Sequence, residues 1–178
     1  MSLNGRVALV TGAGRGIGRA IAAALAKDGA DIAVNYRRDD DAAAEAVAEI
    51  QAASGKAKAY CASVDNLDEV TAMVADIGRE MGPIGILINN AGIASRGQSV
   101  ADTEPTEMER VMRVHAFGPF YLSKLVIPMM RDLGRGDIIM ISSVATDSYG
   151  AFGNPYNMGK AAMEALAFTM AKEEHRHN

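Results

Sequence analysis

Cysteine and tryptophan are nearly or wholly missing from this 178-residue chain, which has no tryptophan and one cysteine, Cys61. A single cysteine cannot form a disulfide within the chain, and this fits a reducing compartment. Cys61 lies in an apolar-leaning run, residues 57–64. The sequence therefore predicts a buried thiol that takes no part in chemistry.

Long hydrophobic runs and concentrated charge are also absent. No apolar run approaches the ~20 residues that a membrane helix needs, and residues 1–14 lack a charged leader followed by a long apolar stretch. The net charge is −4, without a basic stripe that would suit nucleic acid. His175 and His177 suggest no metal-like geometry. We therefore expect a cytoplasmic protein that binds neither membrane nor nucleic acid and carries no metal.

Short apolar runs alternate with longer amphipathic segments along the whole chain. Strands are predicted at residues 7–10, 31–35, 56–61, 85–89 and 137–142. Helices are predicted at residues 16–28, 41–53, 66–81, 106–133 and 155–174, and Pro119 and Pro128 should kink or divide the fourth. This order predicts one α/β domain over residues 1–178, with a parallel sheet covered by helices on both faces.

A glycine-rich turn follows the first predicted strand and opens the first helix. Its glycines allow positive φ and let the backbone approach a pyrophosphate closely. The helix N-terminus would present free N–H groups and a positive dipole end to the phosphates. A dinucleotide site is predicted here, and a tight turn without a ligand is the alternative. The residues predicted to contact the dinucleotide are Gly12, Gly14, Arg15, Gly16, Ile17 and Gly18.

The end of the second strand indicates which dinucleotide binds. An acid at this position would bind the 2′-hydroxyl of the adenosine ribose, but the residue there is Tyr36, and Arg37 and Arg38 follow it. Guanidinium groups suit a 2′-phosphate, so NADP is predicted in preference to NAD. Alternatively both arginines are solvated, or the acids at 39–41 neutralise them.

Tyr156 and Lys160 lie four residues apart, and this spacing places them on one face of a helix. A lysine ammonium beside a phenol favours the phenolate and lowers the pKa of the tyrosine from its usual value of about 10. Tyr156 is therefore a candidate general acid–base. Ser143, thirteen residues before Tyr156, could hold the oxygen that exchanges the proton.

Four stretches together resemble the short-chain dehydrogenase/reductase family, and within it 3-oxoacyl-carrier-protein reductases and sugar or alcohol dehydrogenases. They are TGAGRGIG at 11–18, NNAG at 89–92, ISS at 141–143 and Tyr-x-x-x-Lys at 156–160. The resemblance implies a Rossmann-type, doubly wound parallel sheet in three layers that binds NADP or NAD. It implies an enzyme that interconverts a ketone and a secondary alcohol by hydride transfer. It also implies a homo-oligomer, either a dimer or a tetramer.

The resemblance also assigns roles to single residues. Tyr156 would exchange the proton, while Lys160 lowers its pKa and binds the nicotinamide ribose. Ser143 would orient the substrate oxygen, and the thirteen-residue spacing favours it over Ser142. Further cofactor contacts would come from Ser63, Val64, Asn89, Ala91 and Gly92. The stretch 89–92 could instead be only a turn that ends a strand.

His115 departs from the family pattern, because it stands where the family usually has an asparagine. That asparagine helps hold a water that links the lysine to solvent. A histidine that becomes charged near pH 6.5 would disfavour protonation of Lys160. We therefore predict a catalytic role for His115 and a loss of activity below about pH 6.5, unless the ring simply packs in the helix.

The end of the chain is the second departure from the family. The sequence stops at Asn178, whereas the family continues with further strands, a Pro-Gly turn and a segment that covers the substrate. The sequence is therefore expected to be C-terminally incomplete, with 173–178 as the beginning of a further strand. A non-catalytic nucleotide-binding sensor or scaffold is the alternative function. The substrate and the direction of the reaction stay open.

Overall fold

Five parallel strands form a single sheet in the computed structural model, which describes residues 3–177. Across the sheet their order is β3-β2-β1-β4-β5. The order reverses between β1 and β4, so a crevice is expected where the carboxyl ends of these strands diverge. The strands are β1 Val7–Val10, β2 Asp31–Tyr36, β3 Ala57–Cys61, β4 Ile84–Asn89 and β5 Asp137–Met140.

Seven α-helices connect or follow the strands in the described part of the chain. A π-helical turn, Arg113–Phe117, joins α4 directly to α5. The helices are α1 Gly16–Lys27, α2 Asp40–Ala52, α3 Leu67–Glu80, α4 Pro105–Met112, α5 Gly118–Asp132, α6 Ala145–Ser148 and α7 Asn154–Glu174. Together with the strand order, they confirm the predicted doubly wound, Rossmann-type α/β fold.

Two hydrophobic clusters cover the two faces of the sheet. Because successive side chains of a strand point to opposite faces, Leu9 joins one cluster and Val10 joins the other. The Leu9 cluster includes buried side chains of α3 and α5, whereas the Val10 cluster includes those of α1 and α2. β1 lies between these layers with all four of its residues buried. This rigid centre holds the loops at its carboxyl end.

The predicted fourth helix differs from the structure in where it is interrupted. The segment is divided into two helices, as one of the two predictions had it, and the division is the π-helical turn at 113–117, which ends two residues before Pro119. Pro119 is the second residue of α5 and has no N–H to offer the preceding turn, and Pro128 lies within α5. β5 ends at Met140 rather than residue 142, and α6 is a short helix inside the predicted loop 143–155.

Cys61 is exposed, so the prediction of a buried thiol is wrong. The residue ends β3, which is an edge strand of this sheet and has exposed positions at Lys58 and Cys61. The thiol lies 3.5 Å from the carbonyl oxygen of Arg37. An apolar-leaning run does not reveal that its strand lies at an edge, and this explains the error.

Residues 173–177 do not begin a further strand, as was predicted for 173–178; they form the end of a helix and a turn. α7 runs through Glu174, and the N–H of His177 donates to the carbonyl of Glu174 at 2.8 Å. Met1, Ser2 and Asn178 lie outside the described residues. None of the helices between residues 3 and 177 has the length and apolar character needed to cross a bilayer. The same residues contain no group of three or more potential metal ligands.

Leu9→Ala should destabilise the fold strongly, because Leu9 is fully buried in the central strand. We expect the free energy of unfolding to fall by about 2–5 kcal/mol, from lost burial and the cavity left behind. Urea unfolding followed by circular dichroism measures this change. Leu133→Ala is the control, since that side chain is 46% exposed and should change stability little. Equal effects in the two variants would contradict the described core.

Candidate active site

The glycine-rich turn has a backbone that other residues would disturb. Gly12 and Gly16 have φ values of 63° and 58°, in the left-handed region that favours glycine. A Cβ atom at Gly18 would lie 2.5 Å from both the carbonyl oxygen of Gly12 and the side-chain nitrogen of Asn90. Gly18 therefore lets the first turn of α1 pack directly against the backbone of Gly12 and the side chain of Asn90, where any larger residue would clash.

Thr11 ties this turn to the loop after β4. Its buried hydroxyl accepts the backbone N–H groups of Asn90 and Ala91, each at 2.9 Å, and lies 3.1 Å from the carbonyl oxygen of Ile88. The side-chain amide of Asn90 donates to the carbonyl of Thr11 at 2.8 Å. Neither Thr11 nor Asn90 was predicted as a site residue. Both lie inside the motifs that were recognised, and their role became evident only from the contact between the two loops.

Asn35 supports the same turn from β2. It is buried, its side-chain oxygen accepts the N–H of Gly12 at 3.2 Å, and its carbonyl accepts the N–H of Ala13 at 2.8 Å. Its side-chain amide donates to the carbonyl of Ala62 at 3.0 Å. Asn35 was not among the predicted site residues. The available signal was a polar side chain near the end of an otherwise apolar strand.

A cleft of about 950 Å³ opens beside the turn, and its size suits a nucleotide cofactor. Four residues that were predicted to contact the cofactor, Ser63, Asn89, Tyr156 and Lys160, are not among its lining residues. The N–H of Ser63 instead donates to Glu69 of α3 at 2.7 Å, and Asn89 is buried at the end of β4. The predicted cofactor residues that line the cleft are Gly12, Gly14, Arg15, Gly16, Ile17, Gly18, Tyr36, Arg37, Arg38, Val64, Ala91 and Gly92.

The three acids after the arginines, Asp39, Asp40 and Asp41, also line the cleft, and the first two have hydrogen-bond partners of their own. Asp39 caps α2 by accepting the N–H of Ala42 at 3.1 Å. A hydrogen bond to the carboxylate of Asp40 raises the pKa of Tyr36 to about 12. Arg37 and Arg38 are exposed, and neither takes part in an ion pair within residues 3–177. Both guanidinium groups can therefore meet an anion at the cleft.

The first turns of α7 carry Tyr156 and Lys160 side by side, as their spacing predicted. Lys160 is only 4% exposed, and its ammonium nitrogen donates to the carbonyl of Ile141 at 2.5 Å. That nitrogen lies 5.8 Å from the centre of the Tyr156 ring. Burial lowers the pKa of Lys160, and the nearby carboxylate of Glu164 opposes this shift. The contact with Ile141 fixes α7 to the chain just beyond β5.

The two adjacent serines differ in how their hydroxyl groups are used. The hydroxyl of Ser142 hydrogen-bonds to the carboxylate of Glu164. The Ser143 hydroxyl accepts the N–H of Ala145 at 3.2 Å, which leaves its own proton for another acceptor. This difference agrees with the choice of Ser143 that the spacing to Tyr156 suggested.

His115 is fully buried in the π-helical turn and touches both the loop after β4 and α7. Its Nε2 atom lies 2.8 Å from the carbonyl oxygen and 3.1 Å from the backbone nitrogen of Ile93. The ring meets that of Tyr156 edge-on, with centroids 5.1 Å apart. A Cβ atom at Gly92 would lie 2.9 Å from the ring, and one at Gly159 would lie 2.8 Å from the His115 Cβ. The two glycines therefore make room for the imidazole.

The environment of His115 favours the neutral ring. Burial lowers its pKa below the usual 6.5, the Ile93 carbonyl partly opposes this, and the charge of Lys160 lowers it further. The expectation that His115 becomes charged near pH 6.5 is therefore wrong, because desolvation penalises the cation. Any loss of activity caused by its protonation should begin at lower pH.

Comparison with known proteins gives one family and many relatives. A family model described as "short chain dehydrogenase" matches residues 6–178. A 3-oxoacyl-[acyl-carrier-protein] reductase of Synechocystis sp. is 39% identical over 176 residues, which make up 97% of this chain and 69% of that protein. Versicolorin reductase 1 of Aspergillus parasiticus is 43% identical over 141 residues, 79% of this chain and 53% of that protein. The chain thus spans between about half and about two thirds of these relatives' length.

Solved structures agree with this assignment. A metagenomic short-chain oxidoreductase in complex with NADP superposes with a TM-score of 0.95 at 33% identity, covering 99% of this chain and 80% of that one. NAD⁺-bound xylitol dehydrogenase also gives a TM-score of 0.95, at 31% identity, covering 100% of this chain and 68% of that one. Structures of this fold therefore include both cofactors.

Replacing His115 should change how stability depends on pH. The pKa of His115 is lowered in the folded state, so below pH 6.5 the unfolded chain binds the proton more readily. Stability from the neutral ring is fully present above pH 6.5 and is lost as the pH falls toward the folded-state pKa, by up to about 1.4 kcal/mol per pH unit. His115→Asn should remove this part of the slope.

Chemical denaturation between pH 5 and 8 gives the slope of the unfolding free energy against pH for the unaltered chain and for His115→Asn. His175→Asn, at an exposed position, serves as the matched control and should keep the slope of the unaltered chain. An unchanged slope in His115→Asn would show that the ring is not held neutral by the fold.

Proposed function

The chain belongs to the short-chain dehydrogenase family, and on this premise we propose that it is an NADP(H)-dependent oxidoreductase interconverting a ketone and a secondary alcohol. The observation that carries the proposal is the buried Lys160 beside Tyr156 at the start of α7, joined through His115 to the loop that lines the cleft. A proton donor and a cation thus lie next to the loop that lines a cleft of nucleotide size.

Tyr156 would donate its proton to the carbonyl oxygen of the substrate as negative charge develops there. The Lys160 cation near the ring favours the phenolate that results. Ser143 would donate a second hydrogen bond to the same oxygen and so fix its position. When bound, the nicotinamide supplies the hydride, or accepts it in the reverse direction.

We assign His115 a positioning role in this mechanism rather than that of a proton donor. The neutral ring contacts Tyr156 edge-on and holds the backbone of Ile93, so it sets the distance between α7 and the cleft loop. The asparagine usual in the family is smaller, and the two glycines beside the ring accommodate the difference.

NADP is the proposed cofactor because of the charges at the mouth of the cleft. Arg37 and Arg38 follow Tyr36 there, and Asp39 and Asp40 have other partners. A 2′-phosphate would find two guanidinium groups, whereas the free 2′-hydroxyl of NAD would find no acid at position 36.

The residues between Ser143 and Tyr156 bear on the substrate. Val144, Tyr149 and Phe152 are 74%, 61% and 60% exposed, so this segment presents large apolar side chains. We propose a ketone attached to an apolar body, such as a 3-oxoacyl chain, in preference to a sugar.

A homodimer or homotetramer in the cytoplasm completes the proposal. Phe117 and Phe120 are each 47% exposed around the start of α5, and Phe168 of α7 is 68% exposed. Burial of these rings against a second copy would remove apolar surface from water.

Tyr156→Phe should abolish turnover and leave cofactor binding intact, because it removes only the exchangeable proton. We expect kcat to fall by about 10²–10⁴-fold, with the Kd for NADPH within about twofold. NADPH oxidation with a panel of ketones measures the first quantity, and fluorescence titration measures the second. Tyr121→Phe is the control, since it removes a hydroxyl from a half-buried ring of α5 that does not line the cleft.

Full turnover in Tyr156→Phe would refute the proposed mechanism. An unaltered chain that binds NADPH but reduces no ketone would favour the alternative of a non-catalytic sensor or scaffold.

Arg37→Ala and Arg38→Ala should weaken the binding of NADPH selectively. Loss of a hydrogen bond between charged groups is worth about 1.5–3 kcal/mol, or roughly 10–150-fold in Kd, while binding of NADH should change little. Arg79→Ala removes an exposed arginine of α3 and should affect neither cofactor. Tighter binding of NADH than NADPH by the unaltered chain would contradict the assignment.

A further inference from the structure

Glu164 lies one helical turn beyond Lys160 on α7 and contacts the segment that carries Ser143. One carboxylate oxygen, Oε1, accepts hydrogen bonds from the hydroxyl groups of Ser142 and Thr146, the latter at 2.8 Å. These donors are the residue before Ser143 and the residue three positions after it. The carboxylate therefore contacts the first and the last residue of the segment 142–146, which we call the Ser143 turn.

The Ser143 turn also has bonds of its own. The backbone N–H of Thr146 donates to the carbonyl of Ser143 at 3.1 Å. The Thr146 hydroxyl lies 2.8 Å from this carbonyl and 2.8 Å from Glu164 Oε1, so its single proton is shared between the two acceptors. Such local bonds fix the shape of the turn but not its distance from α7. Among the side-chain hydrogen bonds of the described residues, those of Glu164 join this turn to the helix that bears Tyr156.

We propose that Glu164 is a positioning residue of the active site, whose carboxylate holds the Ser143 turn against α7 and balances the charge of the buried Lys160. The inference rests on the proposed oxidoreductase function and adds to it a residue that the family motifs do not include.

The charges around Lys160 support the second part of this proposal. The ammonium donates to a neutral carbonyl, that of Ile141, and is nearly excluded from water. His115 faces it as a neutral ring, and the carboxylate of Glu164 supplies the nearby negative charge. Hydrogen bonds from Ser142 and Thr146 lower the pKa of Glu164, which keeps the carboxylate ionised at neutral pH.

The variants separate the charge of Glu164 from its hydrogen bonds. Glu164→Gln keeps an acceptor oxygen at the same distance but removes the charge, whereas Glu164→Ala removes both. Thr146→Val removes one of the two donors and keeps the carboxylate. Glu173→Gln is the matched control, because Glu173 is exposed near the end of the same helix.

Steady-state kinetics across pH give the first measurement. We expect Glu164→Ala to lower kcat by about 10–100-fold, with the Kd for NADPH within about twofold, as for loss of positioning near the reacting atoms. Without the nearby carboxylate, Lys160 loses its proton at lower pH. The alkaline limb of the kcat profile of Glu164→Gln should therefore move to lower pH. A merely structural residue would not move this limb.

Amide hydrogen exchange of residues 143–148 gives the second measurement, which needs no substrate. We expect faster exchange in Glu164→Ala and Thr146→Val, and no change in Glu173→Gln. If Glu164→Ala does not fold, Glu164→Gln decides through the pH profile and the exchange rates together.

The outcomes distinguish the two proposals. The unaltered chain could fail to reduce any ketone while Glu164→Ala still shows faster amide exchange. That result would refute the proposed function but support the contact by which Glu164 holds the Ser143 turn against α7. An active chain in which the Glu164 variants leave both the alkaline limb and the exchange rates unchanged would overturn the role of Glu164.

Discussion

The burial of the Lys160 ammonium determines which groups can surround it in the candidate active site. A charge that is almost fully removed from water must be met by oriented dipoles and opposite charge, or it loses its proton. The carbonyl of Ile141 supplies the dipole, and the carboxylate of Glu164 supplies the charge. The adjacent imidazole of His115 stays neutral chiefly because its own burial penalises the cation, and the charge of Lys160 adds to this effect.

The sequence predicted the fold and the motifs well because both depend on local patterns. Alternating apolar and amphipathic segments set the strand and helix order, and the spacing of Tyr156 and Lys160 set their common face. The roles of Asn35 and Glu164 were not predictable in this way, because each depends on a partner more than fifteen residues away. The exposure of Cys61 was missed for the related reason that strand order, not strand sequence, determines which strand lies at an edge.

His115 shows how a departure from a family motif can be judged in physical terms. The identity of the residue suggested a pH-sensitive cation, but its surroundings determine which form it takes. Glycines at 92 and 159 provide the volume, Ile93 provides the backbone partner, and burial sets the charge. His115 thus fits the fold and joins the cleft loop to α7.

The exposed thiol of Cys61 gives this chain a built-in attachment point. It is the single cysteine of the sequence, and it lies beside the backbone of Arg37 at the rim of the cleft. A maleimide dye would therefore modify every molecule at the same place, without prior removal of other thiols. Because that place adjoins the arginines, the dye's emission would report occupancy of the cleft in real time, even for variants that carry out no reaction.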